Sequence, residues 1–208
     1  MKPMKLIVRI AGTLLVLLVL FVLGLWIASN RRDAGRMRGS IEIERSPDEV
    51  FAWMSEPDKL TQWVGWLSEV RPDSTTPREG IGHRETWIMD DPRMKQKVPV
   101  PGTVTLWEPP NQMGVHIEVP AMFEGDVLYK LTELPNGHTK VEQDGRFKYL
   151  DRFAALMEPV VTPEAMRKMV ADMQRLKSKV EAEPFPADSV MYDAAAGDES
   201  PADSTSAN

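Results

Sequence analysis

The hydrophobic positions of this chain change period as it proceeds, and each period predicts an element. From Ile10 to Ala28 there is no charge, and these 19 residues approach the ~20 that a helix needs to cross a hydrocarbon layer. Gly39 to Ile43 then alternates, with Ile41 and Ile43 on one face, which predicts a strand. Ser46-Pro47-Asp48-Glu49 combines a capping box with a proline at the first helical position. The helix it opens buries Val50, Phe51 and Met54. Pro57-Asp58-Lys59-Leu60 starts a second short helix, and a strand follows through Trp63 to Val70. Residues 71–80 are rich in Pro, Asp, Ser, Thr and Gly and read as a loop.

Beyond that loop the period of two resumes. His83, Glu85, Trp87 and Met89 share a face, and Asp90-Asp91-Pro92-Arg93 turns the chain. Val104 to Trp107 is the next strand, closed by a turn at Glu108-Pro109-Pro110-Asn111. Val115, Ile117 and Val119 alternate with His116 and Glu118. Phe123, Val127, Tyr129 and Leu131 share a face, as do Val141, Phe147 and Tyr149, with the hairpin signal Asn136-Gly137 between the two runs.

The period then lengthens. Phe153, Leu156 and Met157 begin a helical region that Pro159 and Pro163 kink or interrupt. Thr162-Pro163-Glu164 predicts the start of a long helix. Its Met166, Met169, Val170, Met173, Leu176 and Val180 form one apolar stripe at spacings of three and four. The order is strand, two short helices, about six strands and a long helix. That order predicts an α+β fold in which an antiparallel meander buries one face against the final helix.

Charge divides the chain into three. Residues 1–38 carry +6, residues 183–208 carry -6, and the net charge of -6 leaves the middle at -6. An acidic globular part argues against a nucleic-acid partner. The basic N-terminal stretch (1–38) reads as a membrane anchor with its flanks, 39–182 as the folded domain, and 183–208 as a disordered acidic tail. Ile10–Ala28 exceeds the ~7–15 apolar residues of a cleavable signal core, so a retained, single-pass anchor is expected. Both flanks are basic, which leaves its orientation undecided. There are no cysteines, and three scattered histidines show no metal-ligand spacing, so neither a metal site nor a cofactor is expected.

Ile43-Glu44-Arg45-Ser46-Pro47-Asp48-Glu49-Val50-Phe51, followed by Pro57-Asp58-Lys59-Leu60-Thr61-Gln62-Trp63, resembles the opening of the START-like, or SRPBCC, helix-grip superfamily. Gly80-Ile81-Gly82, Trp107-Glu108-Pro109-Pro110, Tyr129 with Asn136-Gly137-His138-Thr139, and the closing Asp172–Lys177 fall in matching order. The resemblance covers residues 39–182. It implies a curved antiparallel sheet wrapped around a long C-terminal helix, with an apolar cavity between them. Polyketide cyclases and dehydrases and lipid-transfer domains share this superfamily. It has no universal catalytic residue, so no catalytic residue is assigned.

The expected cavity wall is Trp87, Met89, Phe123, Val127, Tyr129 and Phe147 from the strands, with Met157, Met166, Met169 and Met173 from the helix. Aromatic and flexible sulfur-bearing side chains suit a small hydrophobic ligand, lipidic or polyketide-like. Alternation puts Glu85 on that same face, where burial would raise its pKa toward that of an acid or base. Three functions compete: a monomeric, membrane-anchored binding or transport module, a cyclase/dehydrase-type enzyme, and a ligand-free interaction module.

Overall fold

The computed structural model describes residues 2–31, 34–90 and 96–184. The predicted turn at Asp91-Pro92-Arg93 and the tail from residue 185 lie outside the described residues.

Helix α1 spans Lys2–Ser29; none of its most apolar window within Ile7–Ser29 is buried, and it meets α4 and α5 at only a few positions. Strand β1 (Arg36–Ile43) follows, then α2 (Pro47–Ser55) and α3 (Pro57–Trp63). Strands β2 (Leu67–Pro72), β3 (Arg84–Met89), β4 (Val98–Glu108), β5 (Gln112–Val119), β6 (Phe123–Glu133) and β7 (Thr139–Tyr149) run consecutively. Two helices close the fold, α4 (Arg152–Leu156) and α5 (Glu158–Ala182). All seven strands form one antiparallel sheet in the order β1-β7-β6-β5-β4-β3-β2. This is the helix-grip arrangement, an open sheet folded about a long C-terminal helix.

Local chemistry explains most boundaries. The Glu49 carboxylate accepts from the Ser46 backbone N–H at 3.0 Å and from its hydroxyl at 2.7 Å, which starts α2. Pro57 sits in the first turn of α3. Gly137 turns between β6 and β7 at φ 77°, a backbone region that favours glycine.

Some predicted boundaries move. The strand expected through Trp63 begins at Leu67, because α3 runs to Trp63, whose indole N–H donates to the Trp53 carbonyl at 3.0 Å. Strand β4 starts six residues before Val104, despite Pro99 and Pro101. Its ladder with β5 begins only at Gly102, so the prolines pair with β3 alone and break no second ladder. The long helix starts at Glu158 rather than at Thr162. Pro159 occupies its first turn, where a missing N–H costs nothing, and Thr162 lies buried within the helix.

The folded unit is also wider than 39–182. Arg36, Met37 and Arg38 pair in register with Arg146, Gly145 and Asp144, and the Arg36 guanidinium is 2.5 Å from the Asp144 carboxylate. At the other end the Glu183 carbonyl accepts from Arg45 at 2.8 Å, and its carboxylate accepts from the Trp53 indole at 2.8 Å. Glu183 therefore closes the domain rather than opening a tail.

The core is concentrated beneath α2, α3 and the C-terminal half of α5. Ile43, Val50, Met54, Leu176 and Val180 are almost wholly buried there, and Phe51 meets Trp107 edge to face at 5.0 Å. On the sheet, α5 packs chiefly along β1. A Cβ at Gly39 would come within 2.9 Å of the Met169 methyl and 3.0 Å of the Met173 sulfur, so glycine sets that close approach. Met169, Met173, Leu176 and Val180 of the predicted stripe are buried, Met166 is half-buried, and Val170 faces solvent.

Candidate functional site

Because α5 grips the sheet chiefly along β1, and α2 meets the middle strands only locally, as where Phe51 packs on Trp107, much of the inner face is left without a helix on it. A cavity of about 800 Å³ lies in that space. The size is in the ~300–1,000 Å³ range typical of small-molecule sites. Its floor is the inward face of β3 to β7, and its far walls come from α3 and α5. Exposed Ser74, Arg78 and Glu79 of the β2–β3 loop, with Val161 of α5, form part of the rim. The interior is thus not filled by side chains.

Seven of the ten predicted wall residues line this cavity: Trp87, Met89, Phe123, Val127, Tyr129, Phe147 and Met169. The register explains their meeting. Phe123 pairs with Tyr149 and with Val119, and Tyr129 with Met113 and Gln143, so alternate residues of neighbouring strands point the same way. Phe123 and Phe147 stand edge to face at 6.3 Å, and Trp87 tilts against Trp66 at 6.1 Å. Positions equivalent to a Cβ on Gly125 and Gly145 lie 2.4 and 2.8 Å from the Phe147 ring, so these two glycines leave the ring its place. Tyr129 is enclosed by protein yet keeps accessible surface where it faces the cavity, and burial pushes its hydroxyl pKa up.

Three predicted residues do not line the cavity. Met173 is turned into the core against Gly39. Met157 caps the start of α5 at the break after α4, and Met166 lies half-buried on the helix flank. The 3.6-residue period placed the helix methionines on one stripe, but a stripe wider than the cavity divides between core, cavity and flank.

One polar group stands out within these apolar walls. His83 and Glu85 precede Trp87 and Met89 on the same face, and their side chains are 11% and 10% exposed. The Trp87 indole N–H donates to Glu85 Oε1. His83 Nε2 is 3.6 Å from Glu85 Oε2. His83 Nδ1 is 2.7 Å from the Pro77 carbonyl, which can only accept, so Nδ1 carries a proton. Burial raises the Glu85 pKa; the Trp87 hydrogen bond and the neighbouring His83 oppose the rise without cancelling it. Alternation placed Glu85 correctly. It gave no hint of the Pro77 contact that orients His83, because that contact depends on how the β2–β3 loop folds back.

Other wall residues were not foreseen. Met54, Leu60 and Trp63 contribute from α2 and α3, and Met113 from β5. Asp172 also lines the cavity, although helical spacing put it on the polar side. It is buried, accepts from the Gly65 N–H at 3.1 Å and pairs with Arg175.

This architecture, an antiparallel sheet gripping a helix over an apolar cavity, defines a class of small-molecule binding folds. The chain belongs to the polyketide cyclase / dehydrase and lipid transport family, which it matches over residues 34–181. Solved structures share the fold at low identity. A protein from Thermus thermophilus is 15% identical with a TM-score of 0.59, over 71% of this chain and 97% of that one. A conserved protein from Geobacillus kaustophilus is 12% identical with a TM-score of 0.56, over 70% and 94%. A protein from Rhodobacter sphaeroides is 19% identical with a TM-score of 0.54, over 73% and 95%. A search of curated protein sequences finds no match.

Proposed function

We propose that this protein is a membrane-anchored module that binds or carries a small hydrophobic molecule, lipidic or polyketide-like, in the cavity between sheet and α5. The observation that carries the reading is the cavity itself: about 800 Å³, walled by Trp87, Phe123, Phe147 and Met169, and open at its rim. Rigid rings facing a flexible methionine adapt to varied apolar shapes. The tether is α1, whose apolar stretch is 23 residues long. A soluble core helix would be covered by protein, and a cleaved signal would leave the domain free. A tether beside the bilayer shortens the path of a lipidic ligand.

The experiment is a titration of the full chain in mild detergent with a fluorescent fatty acid and a polycyclic probe, read by tryptophan quenching. Saturable binding is expected. Met169→Trp should fill the cavity and abolish binding while costing about 1–3 kcal/mol of stability, the usual overpacking range. A wild type that binds no apolar probe would sink the reading.

The His83–Glu85 pair favours a second reading, a cyclase/dehydrase-type enzyme in the same cavity. Glu85→Gln separates the two: binding survives in both, and only an enzyme loses turnover.

A further inference from the structure

The inward face of β3, extended by His83 just before it, runs from polar to apolar. His83 and Glu85 stand at one end and Trp87 and Met89 at the other, over roughly 20 Å at ~3.3 Å per residue. The polar end lies against the β2–β3 loop, where Asp73, Thr76 and Arg78 also reach the cavity. Across the strands Phe147 lies in register with Glu85, through Gly102, Ile117 and Gly125, and both line the cavity. Such a lining matches a molecule with one polar terminus and an apolar body.

The geometry at the polar end restricts what that terminus can be. The Nδ1 proton of His83 is committed to Pro77, so Nε2, on the Glu85 side, is the ring nitrogen left for a ligand in the cavity that His83 lines. Glu85 Oε1 is committed to the Trp87 indole, which leaves Oε2 facing His83 Nε2. The separation of 3.6 Å is too long for a direct hydrogen bond. It suits a third polar atom beside the pair, in hydrogen-bonding contact with both. A hydroxyl can donate to one partner and accept from the other, so it satisfies the pair whichever of the two holds the proton between them. A hydrocarbon would leave both polar atoms unpaired in an apolar cavity, and a carboxylate would bring a second acid against Glu85.

We infer that His83 Nε2 and Glu85 Oε2 form a subsite for a neutral hydroxyl group, so that the ligand is an apolar alcohol held hydroxyl-first toward the β2–β3 loop. The inference rests on the binding function proposed above and narrows it to a chemical class. Trp87 and Pro77 are its positioning groups: one holds the carboxylate and the other sets the imidazole tautomer.

Three matched probes test it on the full chain in detergent: pyrenebutanol, pentylpyrene, in which methyl replaces hydroxyl, and pyrenebutyric acid. The reading is the affinity ratio of alcohol to hydrocarbon in wild type, Glu85→Leu and His83→Phe. Each variant should lower the ratio about tenfold, the scale of one lost net hydrogen bond in an apolar site, with pentylpyrene affinity within about twofold of wild type. Wild type should also prefer pyrenebutanol to pyrenebutyric acid, a comparison that does not depend on either variant folding. An unchanged ratio in both variants, or a preference for the acid, overturns the hydroxyl subsite while leaving the binding function intact. Failure of all three probes to bind overturns the binding function itself.

Discussion

Glu85 shows how one residue couples stability to pH. Its carboxyl is buried in the folded chain and hydrated in the unfolded one, so the folded pKa is the higher of the two. The folded state therefore holds a proton that the unfolded state has released, and stability falls as pH rises through that interval. Its contribution is fully present below the ordinary value of 4.5 and is lost as pH passes the raised folded value. Thermal melts from pH 4 upward should show wild type losing stability relative to Glu85→Gln across that window, with parallel curves beyond it. A gap that is constant from pH 4 to pH 8 would mean that Glu85 is hydrated in the folded protein.

At the scale of elements, the start of α5 is the junction of the molecule. Glu158 is 2% exposed, and its Oε1 accepts from the Gly35 N–H at 2.8 Å and from Arg31 at 3.3 Å. A carboxylate in the first turn also suits the positive end of the helix. It ties the segment after α1 to the same helix that walls the cavity. Glu158→Ala leaves the buried Gly35 N–H without its acceptor and should cost about 1–3 kcal/mol in urea unfolding. A neutral result would show that the linker packs without that bond. Pro163 is the reverse case. It lies inside α5, where proline removes a backbone donor and crowds the preceding turn. Pro163→Ala should raise the melting temperature, and an unchanged or lower value would mean that α5 accommodates the proline without cost.

At the scale of the whole molecule, the domain is closed at both ends by contacts distant in sequence. Arg36 and Arg38 pair with Asp144, and Arg45 donates to the carbonyls of Glu181 and Glu183. Truncation after Pro184 should leave the melting temperature almost unchanged, whereas truncation after Ala182 should lower it by several degrees. Equal melting temperatures would show that Glu183 contributes nothing. The proposed anchor predicts that the full chain stays with membranes through an alkaline carbonate wash. Release into the supernatant would show that α1 does not span the bilayer, and a mature N-terminus near Ser29 would make the protein a secreted one.

The element order, most strand faces and the family could be read from the amino-acid sequence. These depend on short-range regularities: a period of two in strands, a period of 3.6 in helices, and caps such as Ser46 with Glu49. It also put Glu85, Trp87 and Met89 on one inward face, because alternation along a strand is enforced by the pleat. How the methionine stripe divides, why β4 tolerates Pro99 and Pro101, and where the domain ends became visible with the folded chain. It alone brought His83 to within 3.6 Å of Glu85 while fixing its other nitrogen on Pro77. Each of these depends on which distant residue faces a given position. Gly39 admits Met169 only because β1 and α5 pack together, and local periodicity carries no record of such pairings.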